Sequence, residues 1–366
     1  MNTKPIYITK PTLPNLDELN QYLKIIWDNK ILTNQGPLHE RFEHNLAEFL
    51  NVEYISLFSN GTLALMTAIH SLELSGKEII TTPFSFVATS HAIKCCGYDV
   101  KFADINPIDL TLDIQSIEEQ INKRTAAILP VNVFGRCCDF KRINEIAKYY
   151  NLKVIYDSAH CFGTEIDGIS INEFGDLSIL SFHATKVFNT FEGGAIISHD
   201  LGTKKRIDNL RNFGILDEEN VECIGFNAKM NELQAAIGLL QLKYFNDNIE
   251  KRRKIDNIYQ QEFKNTRIIT VPIDNKIKHN YGYFPILVDY RDELYEKLKE
   301  NGIISRKYFY PLISNLKPYK NYSSSKKENL PIANFISDKI LCLPIYPDLE
   351  HEDVYKICEV IKKFYE

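Results

Sequence analysis

The chain has 366 residues, of which 44% are hydrophobic and 25% are charged, and its formal net charge is −5. This composition is typical of a globular protein long enough for two domains, and the small negative charge does not favour a nucleic-acid partner. No apolar run is long enough to predict a membrane span, and the amino-terminal segment lacks the apolar core of a signal peptide. The eight cysteines form no C-x-x-C pair, so we expect reduced thiols, no metal site and a cytoplasmic location.

Two amphipathic helices are predicted first, one over residues 15–28 and one after a turn at 33–37. A strand over 54–58 then leads through Ser-Asn-Gly-Thr at 59–62 into a helix. This arrangement can hold an anion, because free backbone N–H groups and the helix dipole face it. Gly61 would allow close approach, and the hydroxyl of Thr62 could donate a hydrogen bond. Taken alone, such a turn more often contains glycine only for backbone geometry.

Strands and helices alternate along the next hundred residues. Strands are predicted at 78–83, 98–104, 126–135 and 152–157, with helices between them. The alternation predicts a mostly parallel sheet with helices on both faces. Ligands bind such sheets at the carboxyl ends of the strands, and Gly61, Phe86, Asp157 and Lys186 all fall near predicted strand ends.

Lys186 lies between two apolar runs, at 177–182 and 195–198, among Phe182, Phe188 and Phe191. A lysine in apolar surroundings tends to lose its proton, because desolvation disfavours the charged form. A neutral amine is the usual nucleophile towards an aldehyde, although a solvated surface lysine is the ordinary alternative. We also expect Phe188 and Phe191 to shape a substrate pocket.

The second half of the chain begins with a predicted helix over 203–213 and a long helix over about 233–263. The remainder is predicted to be α+β, with strands in RIITVPI, YFPILV and ILCLPI and a final helix at 352–365. We expect the long helix to leave the first domain. The predicted division is a large domain at 1–240 and a small domain at 241–366.

Three candidate groups match the needs of one cofactor, pyridoxal phosphate. Its phosphate requires N–H and hydroxyl donors, as at Gly61 and Thr62, and its aldehyde requires a lysine, as at Lys186. A carboxylate such as Asp157 keeps its ring nitrogen protonated, and an aromatic residue such as Phe86 can stack on the ring. Core packing of Phe86 and helix capping by Asp157 are the ordinary alternatives.

Six motifs occur in the order found in one protein family. They are SNGT at 59–62, SFVAT at 85–89, DSAH at 157–160, SFHATK at 181–186, EGG at 192–194, and GFNAKM at 225–230 with QAA at 234–236. Over nearly its whole length the chain resembles the nucleotide-sugar aminotransferases of the DegT/DnrJ/EryC1 family. The resemblance implies an α/β fold, the pyridoxal-phosphate-dependent transferase fold type I, in which helices sandwich a mostly parallel mixed sheet beside a smaller α+β carboxyl-terminal domain.

The resemblance also implies a role for each matched residue. Lys186 corresponds to the catalytic lysine that attaches to the cofactor, Asp157 to the partner of its ring nitrogen, and Phe86 to the stacking aromatic. The phosphate ligands would be Gly61, Thr62 and Ser181, with His160 near the ring oxygen. Asn227 corresponds to a residue that reaches the phosphate of the neighbouring subunit, which implies a homodimer with shared active sites.

The form SFHATKVFNTFEGG at 181–194 is most similar to the viosamine-type branch of the family. Those enzymes transfer an amino group from L-glutamate to dTDP-4-keto-6-deoxy-D-glucose, giving dTDP-4-amino-4,6-dideoxy-D-glucose, with pyridoxamine phosphate carrying the amino group. The presence of Lys186 argues against the dehydratase branch, in which histidine replaces the lysine.

Other functions remain open at this point. They are amination of a 3-keto sugar, amination of a UDP- or GDP-linked sugar, and non-catalytic regulation by a pyridoxal-phosphate-binding protein. A nicotinamide dehydrogenase is disfavoured, because no G-x-G-x-x-G follows an early strand.

Candidate contacts to the sugar nucleotide are Asn34, Arg306, Tyr308 and Tyr310. Asn34 could lie near the mouth of the site, and the other three offer charge and rings from the small domain. Arg306 is the best candidate for the pyrophosphate, because a guanidinium pairs strongly with phosphate oxygens. For each of the four, an ordinary surface or core position is the alternative.

Overall fold

We analysed a computed structural model of the chain, which describes residues 4–366. The helices are α1 (Leu16–Asn29), α2 (Pro37–Leu50), α3 (Gly61–Ser71), α4 (Ala88–Cys95), α5 (Ile114–Gln120), α6 (Phe140–Tyr150), α7 (Leu201–Leu210), α8 (Glu232–Phe263), α9 (Arg291–Glu300), α10 (Pro331–Lys339) and α11 (His351–Tyr365). The strands are β1 (Tyr54–Phe58), β2 (Glu78–Thr81), β3 (Asp99–Phe102), β4 (Thr125–Leu129), β5 (Lys153–Asp157), β6 (Glu165–Ile166), β7 (Ile169–Ser170), β8 (Leu177–Ser181), β9 (Gly194–Ser198), β10 (Ile269–Thr270), β11 (Ile277–Lys278), β12 (Phe284–Leu287) and β13 (Ile340–Leu343).

The central sheet has seven strands in the order β1-β9-β8-β5-β4-β2-β3. Neighbours from β8 to β3 are parallel, whereas β9 is antiparallel to both β8 and β1. The segment between β8 and β9 contains no helix to carry a parallel crossover, so it returns the chain antiparallel. The predicted mostly parallel mixed sheet is confirmed, and β5 and β8 end side by side.

Alternating side chains cover both faces of this sheet, as the strand period of two requires. On one face Ile79, Ile155 and Ile179 belong to a buried cluster that also contains side chains of α3 and α4. On the opposite face Val154 packs with residues of α6, while Leu180 packs with residues of α2 and α8. Helices on both faces leave the carboxyl ends of β5 and β8 open to a ligand.

A second sheet, β10-β12-β13, is antiparallel and lies in the carboxyl-terminal part of the chain. Its apolar residues pack with the last turns of α8 and with α9 and α11. Leu312, Ile336 and Ile340 nevertheless join the cluster on the α3 face of the central sheet. Because α8 runs without interruption across residue 240, the division at 240/241 remains a prediction.

Several predicted elements are present with shifted ends. α7 covers Leu201–Leu210 instead of 203–213, and α4 begins at Ala88, which leaves Phe86 in the preceding loop. Within RIITVPI only Ile269–Thr270 forms a strand. The apolar residues predicted for α1 are buried unevenly: Ile26 is buried and Leu19 and Leu23 are partly buried, whereas Leu16 and Trp27 are exposed, Trp27 by 71%. α1 packs on α8 in this chain.

Over residues 4–366 no helix is both long and apolar enough to cross a bilayer. The same range contains no group of three or more His, Cys, Asp and Glu side chains suited to a metal ion.

Candidate active site

A cavity of ≈ 690 Å³ opens at the carboxyl ends of the central strands. Its walls come from the predicted motifs and from the carboxyl-terminal part of the chain. The polar and aromatic residues that line it include Asn60, Gly61, Thr62, Ser85, Phe86, Thr89, Asp157, His160, Ser181, His183, Thr185, Lys186, Glu192, Tyr283, Arg306, Tyr308 and Phe309.

The turn between β1 and α3 presents free hydrogen-bond donors to this cavity. Asn60 caps α3 by accepting the N–H of Leu63 at 2.9 Å. Within residues 4–366 the N–H groups of Gly61 and Thr62 have no acceptor, as expected for the first positions of a helix. A Cβ on Gly194 would lie 2.9 Å from the backbone N and Cα of Gly61, so glycine in β9 lets the turn reach the end of β8.

Asp157, the last residue of β5, is 4% exposed. Its carboxylate accepts the hydroxyl of Thr89 at 2.8 Å and the N–H of Ala159 at 3.2 Å. Burial raises the pKa of Asp157, while these two hydrogen bonds and the charge of Lys186 act in the opposite direction. The site therefore contains a buried carboxylate held in one orientation by a loop and a helix.

Lys186 follows β8, and its side chain is partly buried at the cavity. Desolvation lowers the pKa of Lys186 to about 8, although Asp157 and Cys161 nearby favour the charged form. Its Nζ donates to the hydroxyl of Tyr283 at 3.4 Å. With this pKa about one tenth of the amine is unprotonated at pH 7, far more than for an ordinary lysine, and this is the form required of a nucleophile or base.

His160 is buried beside Lys186, and its tautomer follows from its hydrogen bond. Its Nδ1 accepts the N–H of Phe134 at 3.2 Å, so in the neutral ring the proton is on Nε2. Burial and the charge of Lys186 hold the pKa of His160 well below its ordinary value. The carbonyl of Phe134 in turn accepts Nε2–H of His279 at 2.9 Å. A neutral His160 with a fixed N–H donor is the result.

The cavity gathers most of the residues predicted from the sequence. Gly61, Thr62, Phe86, Asp157, His160, Ser181, Lys186, Arg306 and Tyr308 all line it. Asn34, Asn227 and Tyr310 are exposed and lie outside its lining among the described residues. Tyr310 instead packs against the guanidinium of Arg291, with 4.5 Å between the guanidinium carbon and the ring centroid.

The lining residues that had no role assigned from the sequence include Thr89, Glu192 and Tyr283. Thr89 lies in the SFVAT motif, but it was given no role from the sequence. The pattern that could have indicated it is a hydroxyl three residues after Phe86. Glu192 belongs to a quoted motif as well. Tyr283 comes from the carboxyl-terminal part, and no local pattern distinguishes it from the other tyrosines of that part.

The expectation that Phe188 shapes the substrate pocket is wrong. Its side chain is buried under the sheet, with its ring centroid 4.1 Å from that of Phe162 and 6.1 Å from that of Phe42. Burial of a large apolar ring favours this packed cluster over a solvent-filled cavity. Phe191 is partly exposed and does not line the cavity formed by the described residues.

Comparison with known proteins agrees with this geometry. Residues 15–362 match the DegT/DnrJ/EryC1/StrS aminotransferase family. The dTDP-4-amino-4,6-dideoxy-D-glucose transaminase of Escherichia coli is 49% identical over 370 residues, which cover 99% of each chain. The GDP-perosamine synthase of Vibrio cholerae is 31% identical over 96% of this chain and 98% of its own.

A solved structure extends the similarity to three dimensions. The crystal structure of DesI in the presence of its TDP-sugar product superposes with a TM-score of 0.93 at 30% identity, covering 98% of this chain and 92% of that chain. The expected fold class and aminotransferase activity are thereby confirmed. The chain belongs to the DegT/DnrJ/EryC1/StrS aminotransferase family.

Proposed function

We propose that this aminotransferase uses pyridoxal phosphate to move an amino group from L-glutamate to C4 of dTDP-4-keto-6-deoxy-D-glucose, forming dTDP-4-amino-4,6-dideoxy-D-glucose. One observation carries the chemistry: a single cavity holds Lys186, Asp157 and the free N–H groups of the turn at Gly61. The choice of sugar is supported by the 49% identity to a transaminase of that name over 99% of each chain.

The donor set of the cavity fits pyridoxal phosphate. The N–H groups of Gly61 and Thr62, with the hydroxyls of Thr62 and Ser181, would bind the phosphate. Asp157 would hold the protonated ring nitrogen, and Lys186 would attach to the aldehyde. The remaining proposed cofactor-binding residues are Phe86 and His160 of this chain and Asn227 of a second copy. When bound, the cofactor withdraws electrons from the carbon that carries the amine.

The residues of this chain would move one proton in each half of the reaction. Lys186 would take the proton from the α-carbon of L-glutamate and pass it to the cofactor carbon that receives the amino group. In the second half it would take a proton from that carbon and deliver it to C4 of the sugar. Its pKa of about 8 suits both tasks, because a general base is most effective when its pKa lies near the working pH.

Nucleotide recognition is proposed for the wall contributed by the carboxyl-terminal part. The guanidinium carbon of Arg306 lies 4.9 Å from the ring centroid of Tyr308, and both side chains line the cavity. Arg306 would bind the pyrophosphate, and Tyr308 would hold the guanidinium flat against its ring. Asn34 and Tyr310 remain candidate contacts to the sugar nucleotide. Because neither lines the cavity of one chain, a bound substrate would have to extend beyond this cavity to contact them.

A homodimer with shared sites is part of the proposal. Apolar side chains are exposed just before Asn227, with Ile224 93% exposed, and along α1, including Trp27. Exposed apolar surface of this kind is typical of a protein contact. The family resemblance, in which Asn227 corresponds to a residue that reaches the phosphate of the neighbouring subunit, supports such a contact. All eight cysteines are free thiols, which fits a cytoplasmic enzyme.

The test is a product assay with the purified protein. It is incubated with pyridoxal phosphate, L-glutamate and, separately, the dTDP-, UDP- and GDP-linked 4-keto-6-deoxy sugars and a dTDP-linked 3-keto sugar. We expect an amino-sugar product by mass spectrometry with the dTDP-4-keto sugar, and a change in the visible absorption of the cofactor when L-glutamate is added alone. An absorption change followed by amination of another sugar would overturn the substrate, and no absorption change would overturn the donor.

A further inference from the structure

Tyr283 contacts two candidate active-site residues, Lys186 and His160. Its hydroxyl lies 3.4 Å from Nζ of Lys186 and is the hydrogen-bond partner of that amine within residues 4–366. Its ring packs against the ring of His160, with 4.5 Å between the centroids. A tyrosine of the carboxyl-terminal part thus contacts a lysine and a histidine that belong to the central sheet.

Short-range contacts hold Tyr283 in this place. The side-chain amide of Asn280 donates to the carbonyls of His160 at 2.9 Å and Phe162 at 3.1 Å, which ties this segment to the loop after β5. A Cβ on Gly282 would lie 3.0 Å from Cγ1 of Val187, the residue after the lysine. Glycine at 282 therefore brings the segment against the lysine loop, and the hydroxyl of Tyr283 reaches Nζ.

We propose that Tyr283 is a positioning residue for Lys186, whose hydroxyl oxygen accepts one N–H of the amine and so directs the lone pair into the cavity. This role rests on the proposed function, in which Lys186 carries a proton to and from carbon. A neutral amine has one lone pair, and rotation about the Cε–Nζ bond would otherwise spread it over several directions. Correct alignment of a base with the bond that it attacks contributes strongly to rate.

Tyr283 acts here as a neutral hydroxyl. Burial raises the pKa of Tyr283 well above the ordinary value, so the group keeps its proton near neutral pH. Arg252 favours the ionised form, but the neighbouring Tyr308, Cys342 and burial disfavour it. The hydroxyl can therefore accept from Lys186 while its own proton remains available to a ligand in the cavity.

The experiment uses Tyr283→Phe, which keeps the ring and removes the oxygen. Tyr281→Phe is the matched control, because Tyr281 lies two residues away, is partly buried and is not among the residues that line the cavity. In the cofactor-free proteins, the labelling rate of Lys186 by an amine reagent is followed against pH by peptide mass spectrometry. In the loaded proteins, the single-turnover rate with L-glutamate is measured.

We expect Tyr283→Phe to move the midpoint of Lys186 labelling down by about half a pH unit, because the lost oxygen favoured the protonated amine. We expect the single-turnover rate to fall about tenfold, with the half-saturating L-glutamate concentration changed less than about twofold. Tyr281→Phe should match the parent protein in both measurements.

Two results would overturn the proposal. One is a labelling midpoint for Tyr283→Phe that coincides with that of the Tyr281→Phe control. The other is a change in half-saturation alone, which would make Tyr283 a wall of the binding site. The labelling measurement needs neither cofactor nor substrate, so it tests the positioning role even if the proposed amino donor or sugar is wrong.

Discussion

Asp157 illustrates how single residues of this site depend on contacts from distant parts of the chain. Thr89 at the start of α4 supplies one hydrogen bond to the carboxylate, and Ser85 lies 2.9 Å from the Thr89 hydroxyl. Because burial raises the pKa of Asp157, these donors and Lys186 are what favour its charged form. We therefore expect the proposed role of Asp157 to depend on its charge.

Replacing Asp157 by Asn should lower transamination by at least about 100-fold with little loss of stability. The amide can still accept the hydroxyl of Thr89, but it carries no charge to hold a protonated ring nitrogen. The rate with L-glutamate and the melting temperature are measured on the same samples. Thr89→Ser keeps the hydroxyl and is the control. A rate for Asp157→Asn within about threefold of the parent would contradict the assigned role.

The lowered pKa of Lys186 makes a prediction about stability against pH. The folded state holds this pKa near 8 against an ordinary value of 10.5, so between these values the unfolded chain binds more protons. The contribution of Lys186 to stability therefore becomes less unfavourable as pH rises. In the cofactor-free protein, Lys186→Met should be more stable than the parent by about 3 kcal/mol well below pH 8, and this advantage should fade towards pH 10.5.

Urea unfolding at a series of pH values measures this difference. Using the difference between the two proteins cancels the titration of groups that do not interact with Lys186, whereas Asp157 and His160 respond to its charge. A constant difference across the range would show that the Lys186 amine is not desolvated in the folded state.

At the scale of the elements, α2 and α8 support the lysine loop from beneath the sheet. Gly36 supplies no side-chain cap to α2. The buried carboxylate of Glu232, at the start of α8, accepts the N–H of Leu38 at 2.9 Å and that of His39 at 2.8 Å. One helix thus caps the other, and their packed faces enclose the aromatic cluster that contains Phe188.

Glu232→Ala should destabilise the protein by about 2–4 kcal/mol, because two buried N–H groups lose a charged acceptor. Glu40→Ala, an exposed carboxylate in the first turn of α2, is the control and should cost well under 1 kcal/mol, about the value of one exposed helix charge. Denaturant unfolding gives both values. Equal effects of the two substitutions would contradict the capping role.

The two phenylalanines of the lysine segment should separate stability from specificity. Phe188→Ala should cost about 3–5 kcal/mol, as expected for a large cavity in a packed core, without changing the relative rates on different sugars. Phe191 has a positive φ of 66°, so Phe191→Gly should be tolerated by the backbone. We expect Phe191→Gly to alter sugar preference while the cofactor stays bound. The relative rates on the dTDP- and GDP-linked sugars test this expectation. An unchanged preference would show that Phe191 does not contribute to sugar recognition.

At the scale of the whole molecule, the exposed apolar side chains favour an assembly of two chains. Ile224 and Val221 precede Asn227 in sequence, and none of the three contributes to the cavity among the described residues. In one chain these apolar groups contact water, which is unfavourable in proportion to their area. A second copy that packed on these side chains would remove them from water and would complete the proposed shared site.

We expect the protein to be a dimer in light scattering and Ile224→Asp to weaken that dimer, since burying a carboxylate in an apolar contact is costly. Tyr149→Ser changes a similarly exposed aromatic on α6 and is the control. The dissociation constant from sedimentation should rise at least about tenfold for Ile224→Asp only. A monomeric parent protein, or equal effects of both substitutions, would contradict the shared site.

Local physics was enough to predict several elements from the sequence. The alternating strands and helices follow from periodicity, and the strand-to-helix turn at Gly61 was predicted as well, with small errors at element ends. The Asn60 cap and the close approach of Gly194 to Gly61 were seen only in the structure. Asp157 and Lys186 were also predictable, because parallel strands bring their carboxyl ends to one edge of the sheet.

Only the tertiary structure decided which side chains from distant segments meet. Tyr283 reaches Lys186 from a segment almost a hundred residues later, and Asn280 holds it there. Phe188 lies in the core because its ring packs against those of Phe42 and Phe162, although it follows Lys186 by only two residues. Such contacts depend on how the whole chain closes around its cores. The local pattern of residues therefore indicated the candidate catalytic groups, whereas the side chains that contact them were set by packing between distant segments.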